Sequence, residues 1–357
     1  MIEVKAPGKL YLAGEYAVVE TGYPAILVAL NQFVRVSVEA SKDYGSIISR
    51  QYQEDSLYWR RQGNQMVFDN RDNPFHYILS GIKITEEYAR LLGKEMLCYH
   101  LKIDSDLDSP DGKKYGLGSS AAVTVATVKA LCAFYELPVS KDQLFKLAAI
   151  AHFEVQGNGS LGDIAASVYG GFLAYHSFDR TWLTLARKKY SLTEIIELAW
   201  PQLQIELLEP PENLSLLIGW TGSPASTSHL VDAVGLKKAE KQRLYTSFLT
   251  QSKQCLELII QGFHENSLTL IQDGLQQNRH ALADLAGFSK LEIETPKLSR
   301  LIQIAESFGG VAKSSGAGGG DCGIVVLNKQ IPSQQVYTKW LAEGIEPLDL
   351  QVHNVTE

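Results

Sequence analysis

Three glycine-rich stretches hold the residues best suited to chemistry: APGKLYLAGEY at 6–16, GLGSSAA at 116–122 and KSSGAGGGDCG at 313–323. Glycine lets the backbone approach a ligand with no Cβ in the way, so successive N–H groups can close around a phosphate. Gly116, Leu117 and Gly118 make such a loop. Ser119, Ser120 and Ala121 lie where a helix begins, and its first N–H groups lack internal partners and carry partial positive charge. The two serine hydroxyls can donate to phosphate oxygens, ligate magnesium, or simply cap the helix.

Lys9 follows a Pro–Gly pair, a placement from which an ammonium can reach a transferred phosphoryl group or lower the pKa of a substrate hydroxyl. The plainer alternative is a surface lysine. Glu15 and Tyr16 stand in apolar surroundings, where they can line a pocket or find structural partners. Asp163, in GNGSLGDIAAS, can accept a hydroxyl proton, or can sit at a helix start because the macrodipole favours it there. Gly316, Gly318, Gly319 and Gly320 flank Ala317, four glycines in five residues. That density suits a ligand-facing loop better than a plain turn. Asp321 and Cys322 then close the loop and enter a strand.

Other phosphate loops fit less well. No GxxxxGK[ST] occurs. Gly116, Gly118 and Ala121 match GxGxxA, but the polar run DSPDGKKY precedes them where a dinucleotide fold needs a buried strand. Residues 219–231, GWTGSPASTSHLV, place Ser223, Ser226, Thr227, Ser228 and His229 after a strand-like run. These donors can hold a phosphate or make a Ser/Thr-rich turn. His152 and His176 show no metal-ligand spacing and read as ordinary structural or surface histidines.

The elements that must position these groups are mixed. Strands are expected at 3–6 and 10–13 around an APGK turn, over 25–40, at 96–103, 169–175, 214–220 and 322–328. Residues 44–70 read as an exposed hairpin region. Helices are expected at 78–92, after GLGSSAA, at 141–156, after GNGSLGD, and at 237–261, 266–286 and 296–308. There is no internal repeat and no low-complexity linker. The reading is an α+β chain of two domains, 1–205 and 206–357, with a cleft between them.

With 357 residues, 45% hydrophobic and 20% charged, the chain has ample material for a core. A net charge of −7 argues against nucleic acid as partner, while leaving room for a small anionic substrate. The four cysteines lie far apart with no CxxC pair, as expected of free thiols in a cytoplasmic protein. The charged N-terminus does not read as a signal peptide. No apolar run approaches the roughly 18 residues of a membrane span, so no membrane partner is expected.

In combination, the three stretches resemble the three motifs of the GHMP superfamily: galactokinase, homoserine kinase, mevalonate kinase and phosphomevalonate kinase. The likeness runs from residue 5 to about residue 327. QGNGSLGDIAASVYGG, GWTGSPASTSHLV and SGAGGGDCGI look most like the phosphomevalonate kinases. Mevalonate kinases usually read GEH where this chain has Gly14, Glu15 and Tyr16. They also place a magnesium-binding glutamate 11 residues before the catalytic aspartate, where this chain has His152. Glu154 is out of that register.

The resemblance implies an N-terminal domain like ribosomal protein S5 domain 2 and a ferredoxin-like C-terminal α/β sandwich. It implies ATP with Mg2+ as phosphoryl donor and phosphomevalonate as acceptor, in a monomer or homodimer. By position, Gly116, Leu117, Gly118, Ser119, Ser120 and Ala121 would hold the ATP phosphates, with Ser120 the candidate magnesium ligand. Lys9 would stabilise developing charge, and Asp163 would orient or deprotonate the acceptor. Tyr16, Ser160, Ser228 and His229 would line the acceptor site, with Gly316, Ala317, Gly318, Gly319 and Gly320 closing over it. The alternatives are another GHMP alcohol kinase and a catalytically silent ATP-binding sensor.

Overall fold

A computed structural model describes residues 1–49, 56–69, 73–108, 114–223, 230, 232–235 and 241–355. The first half runs β1 (Ile2–Ala13), β2 (Pro24–Ser41), β3 (Gly45–Ser49), β4 (Ser56–Gln62), β5 (Gln65–Phe68), α1 (His76–Leu91), β6 (Cys98–Ser105), α2 (Ser119–Phe134), α3 (Lys141–Gln156), α4 (Gly162–Tyr169) and β7 (Phe172–His176). Then come α5 (Arg180–Lys189), α6 (Leu192–Glu197), β8 (Gln204–Leu208), β9 (Leu214–Trp220), α7 (Gln242–His264), α8 (Leu268–Ser289), α9 (Pro296–Glu306), β10 (Val311–Ser314), β11 (Cys322–Asn328), α10 (Ser333–Ala342) and β12 (Glu346–Leu348).

The long, β-branched β2 organises an eight-stranded sheet. One edge pairs antiparallel with β1, and the other with β6 and β7. Helices α1 to α4 cover the sheet and share its apolar core. A second sheet, in the order β10-β11-β9-β12, is antiparallel throughout. It packs against α9 and α10 around Leu301, Val325 and Trp340.

Local chemistry explains several boundaries. A capping box starts α3: Ser140 Oγ accepts from Gln143 N–H while the Gln143 side chain accepts from Ser140 N–H. Gly157, left-handed at φ 72°, ends it. The expected APGK turn is instead a bulge inside one 12-residue strand, with the register to β2 shifting between Pro7 and Gly8. A bulge absorbs the proline, which has no N–H for the ladder, and re-aims the next side chain, Lys9.

The described residues of 44–70 make the expected hairpin pairings, β3 with β4 and β4 with β5, but are not all exposed: Ile47, Leu57 and Trp59 are buried in the core. The strand expected from 169 begins at Phe172, since Tyr169 closes α4 and Gly170 and Gly171 both turn through positive φ. Short elements went unread: α5, α6 and β8 after Ser177, and α10 and β12 after Asn328. Strand β8, ending at Leu208, belongs to the eight-stranded sheet. The last described residues also return to that sheet: Val352 bridges Leu30 and Asn354 bridges Gly170. Among the described residues no helix is long and apolar enough to cross a membrane.

Candidate active site

The bulge in β1 brings two glycine loops into direct contact. Lys9 N–H donates to Leu117 O at 2.8 Å. A Cβ on Gly8 would stand 2.9 Å from that same oxygen, so the approach needs glycine there. Two residues further along the same edge, the one not paired with β2, Tyr11 N–H donates to Ser315 Oγ at 3.0 Å, and Ser315 Oγ donates to Tyr11 O at 2.8 Å. The edge of β1 that β2 leaves free therefore holds both the second and the third glycine loop.

Between them lies a cavity of about 450 Å³, within the usual size of a small-molecule site. Lys9, Gly116, Leu117, Gly118, Ser119 and Ser120 line it. Ser160 and Asp163 line it too, as do Tyr16, Gly316 and Ala317. Three of the backbone corners are non-glycine residues at positive φ: Tyr16 at 63°, Leu161 at 65° and Asp321 at 52°. Such strained conformers gather where a site must be shaped.

The serines do not cap α2. Gly118, left-handed at φ 77°, is the N-cap residue, and no side chain caps it. The first N–H groups of a 16-residue helix thus open toward the cavity with no protein acceptor from a cap and no acidic residue in the first turn. Helix α4 starts similarly from Leu161, and Asp163 in its first turn accepts from Ile164 N–H at 3.0 Å.

Lys9 is buried, at 9% exposure. Its chain lies across Gly118, whose Cβ would come within 2.8 Å of Lys9 Cε. Among the described residues Lys9 makes no ion pair, and its ammonium lies 5.2 Å from the centre of the Tyr11 ring. The Tyr11 hydroxyl shares a 3.1 Å hydrogen bond with Ser160 Oγ. Burial, reinforced by the Asp163 charge, pushes the Tyr11 phenol up, so it stays protonated.

Several cavity residues were not anticipated. His152 is fully buried and shares a 3.2 Å hydrogen bond between Nε2 and Ser120 Oγ. Tyr77 stacks on its ring at 4.8 Å. Burial pushes the imidazole down, against the opposing Asp163 charge, and keeps it neutral near neutral pH. His152 is thus a buried structural histidine, as expected, and it also lines the cavity. The count back from Asp163 to a family glutamate position was the signal that could have found it. Glu154 instead faces outward to Lys83 and Arg187. Lys114, Gln156 and Asn158 also reach the cavity.

Not every expected residue arrives there. Ala121 is buried inside α2, away from the cavity lining. Gly318 and Gly320 face protein: a Cβ would stand 2.2 Å from Ile293 O and 2.3 Å from Ser223 O respectively. Gly319 N–H donates to Ile293 O at 2.8 Å. These three glycines fold the loop onto its support, and Gly316 and Ala317 face the cavity. The Tyr16 ring packs with Tyr245, Phe248 and Leu285, and its hydroxyl donates to Ala317 O at 2.5 Å. Ser228 and His229 lie outside the described residues.

For a divalent metal the cavity provides oxygen donors in Asp163 and Ser120. Among the described residues, no group of three His, Cys, Asp or Glu side chains could cage an ion. That sparse set fits Mg2+, which keeps several waters and leans on substrate phosphates.

The profile of the GHMP kinases N terminal domain matches residues 76–171, and that of the GHMP kinases C terminal domain matches residues 259–346. A phosphomevalonate kinase of Streptomyces sp. (strain CL190) is 36% identical, covering 97% of this chain and 95% of its own. A mevalonate kinase of Methanocaldococcus jannaschii is 27% identical over 92% of each chain. Among solved structures, the Lin0012 protein of Listeria innocua superposes with a TM-score of 0.93 at 38% identity, covering 99% of this chain and 98% of its own. Streptococcus pneumoniae phosphomevalonate kinase, in complex with phosphomevalonate and AMPPNP, superposes at 0.86 with 31% identity, covering 99% and 100%. The dinucleotide-fold alternative falls away, since both family profiles are those of GHMP kinases and among the described residues no strand leads into Gly116. The chain belongs to the GHMP kinase family and has its two-domain α+β fold.

Proposed function

We propose that this kinase transfers the γ-phosphoryl group of ATP to the phosphate of (R)-5-phosphomevalonate, giving the 5-diphosphate and ADP. The observation that supports the reading is the convergence of all three glycine loops on one cavity, lined also by an uncapped helix N-terminus and a buried lysine that makes no ion pair among the described residues. The likeness to the Streptomyces and Streptococcus pneumoniae enzymes supports the choice of acceptor.

In this reading an oxygen of the acceptor phosphate attacks the γ-phosphorus, and the bond from that phosphorus to the β–γ bridging oxygen breaks as ADP leaves. The attacking oxygen is already anionic near neutral pH, so no strong base is needed. Gly116 to Ser120 bind the nucleotide phosphates through backbone N–H groups and hydroxyls. Lys9 stabilises charge on the transferred group, where a preorganised cation in a water-poor site acts most strongly. Ser160 and the loop at Gly316 and Ala317 hold the acceptor, and Asp163 orients it. Ser120, with phosphate oxygens and water, would hold Mg2+, which when bound neutralises the polyphosphate and draws charge from the γ-phosphoryl oxygens.

The test is ADP release with Mg·ATP against mevalonate, phosphomevalonate, homoserine and galactose. Phosphomevalonate should be the acceptor turned over. Preference for mevalonate, homoserine or galactose overturns the assignment, and silence with all four favours an ATP-binding sensor.

A further inference from the structure

We propose that Tyr11 is a positioning residue with two separable jobs: its ring face holds the Lys9 ammonium, and its hydroxyl sets Ser160 in the same cavity. The inference rests on the roles given above to Lys9 and Ser160.

Lys9 needs something to hold it. A buried ammonium with no carboxylate partner is costly and is free to choose among rotamers. Two features restrict it here. Gly118 leaves a groove for the lysine stem, with Cε in the space a Cβ would fill. The ring of Tyr11 then presents its negative face 5.2 Å from Nζ. A carboxylate would hold the lysine more firmly but would cancel the charge the phosphoryl group must meet. An aromatic face steers the cation and leaves its charge in place.

The other end of the same side chain meets Ser160 Oγ at 3.1 Å. Ser160 is held elsewhere too: its Oγ accepts from Gly162 N–H at 3.3 Å and its carbonyl accepts from Tyr175 OH at 2.6 Å. The phenol remains a neutral donor and acceptor, because burial and the Asp163 charge both oppose its ionisation. Tyr11's own backbone is fixed by its two bonds to Ser315. One half-buried residue thus connects the donor-side lysine, the acceptor-side serine and the third loop.

Two variants separate the jobs, and both keep the backbone bonds to Ser315. Tyr11→Phe retains the ring and loses the hydroxyl. Its KM for the acceptor should rise about three- to tenfold, with kcat and the KM for ATP within about twofold of the parent. Tyr11→Leu loses both, so kcat should also fall, by about tenfold. Each variant is assayed with whichever acceptor the parent protein phosphorylates. A parent that prefers mevalonate sinks the phosphomevalonate assignment and leaves the Tyr11 comparison readable.

Crystal structures of the two variants give a second reading independent of turnover. Lys9 should stay over the ring in Tyr11→Phe and take other rotamers in Tyr11→Leu. An unchanged acceptor KM in Tyr11→Phe overturns the Ser160 half. A parental kcat in Tyr11→Leu, or an unmoved Lys9, overturns the Lys9 half. Equal losses of kcat in both variants, in step with lowered melting temperatures, would reduce Tyr11 to a structural role and overturn the proposal.

Discussion

The Lys313 ammonium lies 2.5 Å from Glu15 Oε1, and both side chains are buried. Lys313 also donates to Ser314 O at 2.7 Å, and Gly316 N–H reaches the same Glu15 oxygen at 3.3 Å. The pair pins the third glycine loop to the end of the first, 298 residues away in sequence.

Removing one partner strands the other charge in the interior. Lys313→Met should cost about 3–5 kcal/mol in denaturant unfolding. The double variant Glu15→Gln/Lys313→Met removes both charges and should recover much of that loss. A double variant no more stable than the single one contradicts a charge-pair account.

The division of labour in catalysis is measurable in single-turnover rates. Lys9→Met should lower the chemical step by about 100-fold or more, and Asp163→Asn by far less, because a phosphate nucleophile needs no deprotonation. The reverse order would point to an alcohol acceptor and a base.

Gly118→Ala tests the groove that shapes Lys9. The position has φ 77°, and a Cβ would meet Lys9 Cε at 2.8 Å. Backbone strain should cost about 1–3 kcal/mol, and displacement of the lysine should lower kcat beyond what the melting temperature predicts. A variant with normal kcat would show that Lys9 need not lie there.

Much of the site was legible because its signals are local. Glycine density at 116–118 and 316–320, the serines at the start of α2, and the capping box with Gly157 around α3 all act within a few residues. What escaped depends on distant packing. The Pro–Gly of APGK reads as a turn until the 18 residues of β2 lie beside it and make it a bulge. His152 becomes a site residue only when α3 lies against α2 and brings its ring to Ser120. No local pattern joins Glu15 to Lys313. Short elements such as α6, six residues long, offer too little periodicity to read.

Acid should weaken the fold through its histidines. Burial pushes His176 below its ordinary value of 6.5, with Lys253 adding to the shift and Glu206 opposing it. As pH falls through 6.5 the unfolded chain takes up this proton before the folded one, so stability drops until the lower folded value is passed. His152 and His353 shift the same way. The melting temperature should fall from about pH 7 to pH 5, and His176→Gln should flatten part of that slope. An unaltered slope contradicts the assignment to His176.

Chelation should separate catalysis from folding. With no caged metal site among the described residues, EDTA should leave the melting temperature of the nucleotide-free protein unchanged while stopping turnover. A lowered melting temperature without nucleotide would reveal a resident structural ion.

The chemical identity of the acceptor oxygen is tested most directly by 31P NMR of the product purified after reaction of phosphomevalonate with Mg·ATP. The account predicts two mutually coupled resonances from one organic diphosphate. Two uncoupled monoester resonances, from phosphorylation at a hydroxyl, would contradict it.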